Sequence, residues 1–337
     1  IQAFADTVLV SSLDPLLVNS KALRLIDGTI ASGGNRYEDA QVALWEFKTG
    51  IGSTAFDTSG EVPALDLQLS GQYEWFGGWG VSIQSGDPLL GQSDGRAQGS
   101  TTDSQKLFDT LRLSQEYSLE AWVVPSNVTQ EMARIMTYSG GQTTRNFTLQ
   151  QTLYNYDFLH RSTETDENGD PQLSTPDAAE VLQATLQHVV ATFSTTEGRK
   201  IFVNGQQVTQ PDPTSPGTMT DWDDTFAFVL GNEAGGNGLW EGTIRMAAVH
   251  EFALTPTHIQ QNFDVGVGEK FFLLFSIEEI INVPTAYVLF EVAQFDSYSY
   301  LFAQPHFITL DGAQQPEGIP MQGMRIGING AEVDKSQ

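Results

Sequence analysis

Cysteine is absent from the 337 residues, which excludes disulfides, thiolate metal sites and cysteine nucleophiles together. Basic residues are scarce: 16 Lys and Arg stand against 42 Asp and Glu, giving a formal charge of −26 and an isoelectric point near 4.2. A chain this acidic repels phosphate backbones and anionic membrane surfaces, so nucleic acid is not an expected partner. The same charge fits solubility in salt, attraction for divalent cations, or colloidal repulsion alone. Long apolar runs are missing too. A membrane-spanning helix needs about 18 apolar residues, and the most apolar stretch, 270–281, is shorter and holds Lys270, Glu278 and Glu279, so no membrane insertion is expected. The first residues, IQAFADTVLV, have neither an initiator Met nor a basic n-region, which reads as a mature product or a fragment of a longer protein.

What is present is β-forming sequence around residues 186–263. Val189, Ala191 and Phe193 alternate with Val190 and Thr192, Thr196-Glu197-Gly198 turns, and Ile201-Phe202-Val203 follows. Asn204-Gly205 then accepts the positive φ angles of a two-residue type I′ turn. Further on come Phe226 to Leu230, a Gly-rich loop, a strand from Gly242 to Val249 and a short helix. Thr255 is placed to cap that helix, with Pro256 in its first turn and Leu254 stapling to Ile259. Upstream, YSLEAWVVPS (117–126) alternates Tyr117, Leu119, Ala121 and Val123 against Ser118, Glu120, Trp122 and Val124. Residues 102–113 read as a helix capped by Thr102 or Asp103, with Leu107, Phe108 and Leu111 on one face.

In this order, VALWEFKTGIGSTAFDTSG (42–60), YSLEAWVVPS, HVVATF…GRKIFVNGQQV and VLGN…WEGTIRMAAVHEFALTPTHIQQNF resemble the laminin-G-like branch of the concanavalin A-like lectin and glucanase superfamily over roughly 38–265. The resemblance implies an all-β fold, an antiparallel β-sandwich of jelly-roll type. We expect strands at 1–37 that pack on the sandwich, the jelly roll at 38–268, and a small antiparallel β module at 269–337 with three or four strands. That module is too small for a robust core of its own and is a candidate contact for neighbouring domains or subunits.

Retaining glucanases of the superfamily carry catalytic acids in a Glu-x-Asp-x-Glu run on one strand. Here Glu120 stands alone, with Trp122 where a second acid is needed, so no catalytic residues are assigned and hydrolase or lyase activity is disfavoured. Lectin-like members hold ligands and calcium in rim loops. The resemblance therefore points to 157–177, 211–225 and 231–240, where Trp222, Asp223, Asp224, Asn232 and Trp240 are the candidate ligand-binding residues. In the first loop Asp166, Asn168 and Asp170 alternate and Asp177 falls twelfth from Asp166. That pattern supplies hard oxygens for calcium or simply a solvated acidic insertion, and Pro171 occupies the place where a calcium loop of the helix-flanked type needs Gly.

Asp57 reads as a turn-capping residue or a ligand, and Trp75 and Trp79 as buried rings or a sugar platform. His160 and His188 read as satisfied strand residues. Asn127-Val-Thr and Asn146-Phe-Thr have glycosylation spacing. The expected function is a non-catalytic, extracytoplasmic module that recognises a glycan or glycoprotein, with calcium as a conceivable cofactor. The alternative is a structural module of a larger surface assembly with no small ligand.

Overall fold

The computed structural model describes residues 36–37, 39–47, 50–75 and 80–266, and five strands beyond them. The chain divides into two compact units, the larger spanning Tyr37–Asp264. The strands expected in 1–37 lie outside the described residues.

The larger unit is a sandwich of two antiparallel sheets. In chain order the first sheet holds β1 (Gln41–Trp45), β4 (Tyr73–Trp75), β5 (Val81–Ile83), β7 (Glu116–Pro125), β12 (Gln187–Ser194), β13 (Gly198–Val203), β14 (Gln206–Gln207) and β16 (Gly242–His250). Across the sheet they run β14-β13-β12-β7-β16-β5-β4, with β1 also on β16. The second sheet holds β2 (Thr54–Ala55), β3 (Leu67–Ser70), β6 (Arg96–Gln98), β8 (Ala133–Gly141), β9 (Thr144–Thr152), β10 (Asn155–His160), β11 (Leu173–Ser174) and β15 (Ala227–Leu230). Its order is β11-β10-β9-β8-β15-β6-β3-β2.

The alternation in β7 sets the core. Tyr117, Leu119, Ala121 and Val123 join one buried cluster with Val189, Ala191 and Phe193 of β12 and Phe147, Leu149, Tyr156, Phe158 and Phe228 of the second sheet. Trp45 stacks on Phe228 with ring centroids 4.7 Å apart and donates its indole N–H to Leu65 O at 2.8 Å, so its one polar atom is satisfied inside the core. The β13–β14 turn is built on Asn204 and Gly205 with φ of 50° and 79°, as the dipeptide requires.

Helix α1 (Thr101–Ser114) packs Leu107 and Leu111 into the core. Its cap is Ser100 rather than Thr102 or Asp103: Ser100 Oγ accepts from Asp103 N at 2.9 Å and donates to the Asp103 carboxylate at 2.6 Å, and the helix starts one residue earlier. Helix α2 (Pro256–Val265) starts as its sequence indicates. Thr255 Oγ1 accepts from His258 N at 3.3 Å, and Leu254 and Ile259 share a second apolar cluster with Val190 and Phe202 on the outer face of the first sheet.

Asp57 organises its turn. Its carboxylate accepts the amides of Leu44, Ser59 and Leu65 and pairs with Lys106 Nζ at 2.7 Å, both side chains being almost fully buried. Trp75 is half-buried against Phe47 and donates to Gly52 O at 2.8 Å, so its ring is part of the sandwich edge; Trp79 lies outside the described residues.

In the smaller unit, β17 (Phe271–Ser276), β18 (Ala286–Val292) and β19 (His306–Thr309) form an antiparallel sheet, and β20 (Arg325–Ile328) pairs with β21 (Ala331–Asp334). Five strands are thus described where three or four were expected.

Candidate functional site

Three of the five expected ligand-binding residues turn out to be structural. Trp222 is 6 % exposed, faces Tyr117, Tyr138, Phe147 and His160 edge-on or tilted, and donates to Arg161 O at 2.7 Å. The acids beside it face outward, but the 3-10 turn Met219–Asp221 rotates the ring into the core. Trp240 is fully buried with its indole N–H on Gln151 Oε1 at 2.9 Å. Asn232, also buried, closes its own loop: Oδ1 accepts from Glu233 N at 2.8 Å and Gly238 N at 3.0 Å, while Nδ2 donates to Gly95 O. Asp223 caps the loop by accepting from Thr225 N at 2.8 Å, and Asp224 is exposed.

Of the four expected metal residues, three converge and one does not. Asp166 Oδ1 accepts the amides of Asn168 and Asp170 at 2.9 and 2.8 Å, and Asn168 Nδ2 donates to Asp170 Oδ2 at 2.6 Å. Asn168 Oδ1 is taken by Arg145 Nε at 2.8 Å. Asp177 lies in a separate turn, where Asn155 donates to it. One oxygen each of Asp166, Asn168 and Asp170 is therefore engaged with a donor, and a guanidinium stands beside them. Among the described residues no group of three His, Cys, Asp or Glu side chains is arranged to hold a metal ion.

The loops do meet as rims. Thr163 N donates to Thr218 O at 3.0 Å and Asn146 exchanges two hydrogen bonds with Asp223, binding the 161–172 loop and the end of β9 to the 208–226 loop. Asn146 is thereby fully buried and lost as a glycan acceptor, whereas Asn127 sits half-buried in an Asx turn, accepting from Thr129 N at 2.9 Å.

Two polar constellations were not singled out from the sequence as sites. On the outer face of the first sheet Glu120 accepts from His188 Nε2 at 2.8 Å, His250 Nε2 at 2.8 Å and Asn262 Nδ2 at 3.0 Å, with no solvent exposure of the Glu or either His side chain. An ionised carboxylate only accepts, so both imidazoles present Nε2–H to it. Trp122 stacks on His188 and on Phe263 of α2, which completes the seal. Glu120 is thus a buried anchor for α2 and not an acid available to a substrate.

The second lies on the outer face of the second sheet. Glu233, carried by the 231–241 loop, pairs through Oε2 with Arg134 Nε and Arg145 Nη1, each at 3.3 Å, while Ser139 Oγ donates to Oε1. Arg134 also donates to Gln150, which holds Asp157 with Thr152, and Arg145 Nη1 reaches Thr148 Oγ1 at 3.0 Å. Burial pulls Arg145 down to about 10, and the neighbouring Arg134 charge pulls the same way; Glu233, Asp170 and Asp166 oppose it, and the group stays charged at neutral pH. The alternation of Asn146, Thr148 and Gln150 against Phe147 and Leu149 marks that face as polar; nothing local announces Glu233.

A groove of about 330 Å³ is open between α1 and the 218–221 stretch, lined by Phe108, Asp109, Arg112, Leu113, Gln115 and Thr220. Arg112 lies over the Phe108 ring at 5.2 Å, and Gln115 Oε1 accepts from Met219 N at 3.0 Å, which fixes the helix end to the loop.

His160 titrates against the core. Its Nδ1 bonds Tyr117 OH at 2.8 Å, and burial, with the Arg199 charge adding to it, holds its pKa well below the ordinary value. The folded state therefore keeps the ring neutral where the unfolded chain, titrating near about 6.5, takes up a proton. Stability from this group is complete above that pH and is lost as pH falls below it, at up to about 1.4 kcal/mol per unit. Urea titrations of wild type and His160→Gln at pH 7.5 and 5.5 will show a smaller acid loss in the variant; equal losses would assign the pH dependence to other groups.

No curated protein sequence matches the chain significantly. Among solved structures, a receptor binding domain superposes with a TM-score of 0.50 at 11% identity, over 82% of this chain and 72% of that one. Trypanosoma rangeli sialidase bound to a difluoro-KDN gives 0.50 at 15% identity over 68% of this chain, which spans 33% of the sialidase. The binding domain of botulinum neurotoxin serotype D/C gives 0.48 at 12% identity, over 85% and 77%. At such identities the likeness is one of fold. Residues 94–260, just under half of the chain, match the family model of the Concanavalin A-like lectin/glucanases superfamily, and the two antiparallel sheets described above form a sandwich of the kind that model describes.

Proposed function

We propose that the sandwich is a non-catalytic recognition module that binds a glycan or glycoprotein outside the cytoplasm. The observation that carries this reading is the groove of about 330 Å³ beside α1, lined by the Asp109 carboxylate, the Arg112 guanidinium stacked on Phe108, and the Thr220 hydroxyl. Glu120, Glu233 and Asp157 are each buried and held by donors, so none of these three is open to a substrate. The receptor binding domain among the folds it resembles fits the recognition reading. No helix among the described residues is long and apolar enough to cross a membrane.

Glycan-array screening with and without chelator tests the reading. Arg112→Ala is expected to weaken any sugar signal about tenfold, the loss of one charge-assisted hydrogen bond, and an array with no sugar-dependent signal under either condition removes the glycan. Calcium enters this reading only at 166–170, where an ion must displace the bonds of Asn168 to Arg145 and Asp170, so chelator is expected to leave the signal unchanged. A second reading, an interaction module of a larger assembly, is favoured by Leu89 and Leu90, which stand 94% and 71% exposed on a 3-10 turn capped by Asp87. The strand-rich C-terminal module is the other candidate contact for a neighbouring domain or subunit.

A further inference from the structure

We propose that Arg134 and Arg145 form a carboxylate-binding cradle that the chain fills with its own Glu233, and that a carboxylated sugar or other small carboxylate takes that place when the Glu233 side chain swings out. The cradle has the donor set of an anion site. Two guanidinium groups, with side chains 6% and 0% exposed, aim Nε and Nη1 at a single carboxylate oxygen, and Ser139 Oγ and the Ala234 amide, at 3.1 Å, serve the other. Each arginine is itself positioned from behind, Arg134 by Gln150 and Met132 O, Arg145 by Thr148, Asn168 and Gln142 O, so the pair is set before any anion arrives.

As a stability device the arrangement is poor, because two buried cations sharing one carboxylate cost more to desolvate than apolar side chains of the same volume. As a binding site it is economical. Glu233 leads into Ala234-Gly235-Gly236-Asn237, and side chains added at Gly235 or Gly236 would meet nothing within 4 Å, so the roof has no packed apolar contact there to break. The loop base stays fixed by Asn232, whose Oδ1 holds the amides of Glu233 and Gly238, while Glu233 is fully buried and Gly238 packs on it and on Arg134, so the swing needs the 234–237 tip to lift together with rotation at Glu233. Asp157 is held by Gln150 and Thr152, and Asp166 and Asp170 reach Arg145 by hydrogen bonds through Asn168, while the charges of all three help to keep the two arginines cationic. The cradle is separate from the groove beside α1 and does not depend on it.

Calorimetric titration of wild type, Glu233→Gln and Glu233→Ala with acetate, D-glucuronate and glucose tests the assignment. The variants are expected to bind acetate and glucuronate at least tenfold more tightly than wild type, with no glucose signal, and acetate, not chloride, should raise the melting temperature of Glu233→Ala. Arg145→Gln added to either variant should abolish the gain. Glu233→Gln keeps the side-chain volume and serves if Glu233→Ala does not fold. Folded Glu233→Gln that binds neither carboxylate better than wild type, or that gains equally for glucose, overturns the proposal.

Discussion

Glu120→Ala is expected to cost about 3–5 kcal/mol, the usual price of stranding buried partners of an ion or hydrogen-bonded pair. The carboxylate meets His188 from β12, His250 from β16 and Asn262 from α2, so its removal leaves two imidazole N–H groups and an amide facing a void. For a unit of this size the loss corresponds to roughly 10 °C in the melting midpoint. Glu120→Gln keeps the volume but turns one acceptor position into a donor opposed to an N–H, and should fall between wild type and the alanine variant. Differential scanning calorimetry of the three proteins decides it. An alanine variant melting within about 2 °C of wild type would mean that the carboxylate does not hold the helix to the sheet.

Trp222→Ala comes second, at about 3–5 kcal/mol for an aromatic removed from a packed core. Trp222 contacts four rings from β7, β8, β9 and β10 and satisfies Arg161 O, so truncation opens a cavity between the sheets and orphans a carbonyl. Trp222→Phe should recover most of the packing loss and none of the hydrogen bond. Urea unfolding of the three proteins measures both parts. A Trp222→Ala variant as stable as wild type but deficient in ligand binding would return this ring to the surface and to the role its acidic neighbours suggest.

The two residues show what a single chain discloses and what it hides. Glu120 was legible as a lone acid on a strand whose alternate residues face the core, and the absence of a second acid two residues on was legible with it. Its partners were not, because His188 and His250 arrive on strands 68 and 130 residues away and meet only through the pairing of β12 and β16 with β7. Trp222 misled for the opposite reason: charged neighbours at 221, 223 and 224 describe the backbone's position at the surface, while one turn decides where a side chain points. The Asp166–Asp170 run likewise has the oxygens of a calcium loop, and only the fold shows that Arg145 arrives from β9 to take the one on Asn168. Local devices fared best. The Asn204-Gly205 turn, the Thr255 cap and the Leu254–Ile259 staple depend on a few adjacent residues, and each is where the sequence puts it.

One contact at the edge of the sandwich bears on how the domain can be handled. Tyr37, where the unit starts, stacks on His258 at 3.8 Å and gives its amide N–H to Asn262 Oδ1 at 2.8 Å, so the chain enters beside the helix by which it leaves. A domain whose two ends are neighbours can be excised in one piece, grafted into a loop of an unrelated host, or circularised and reopened elsewhere, without any segment having to cross the sandwich.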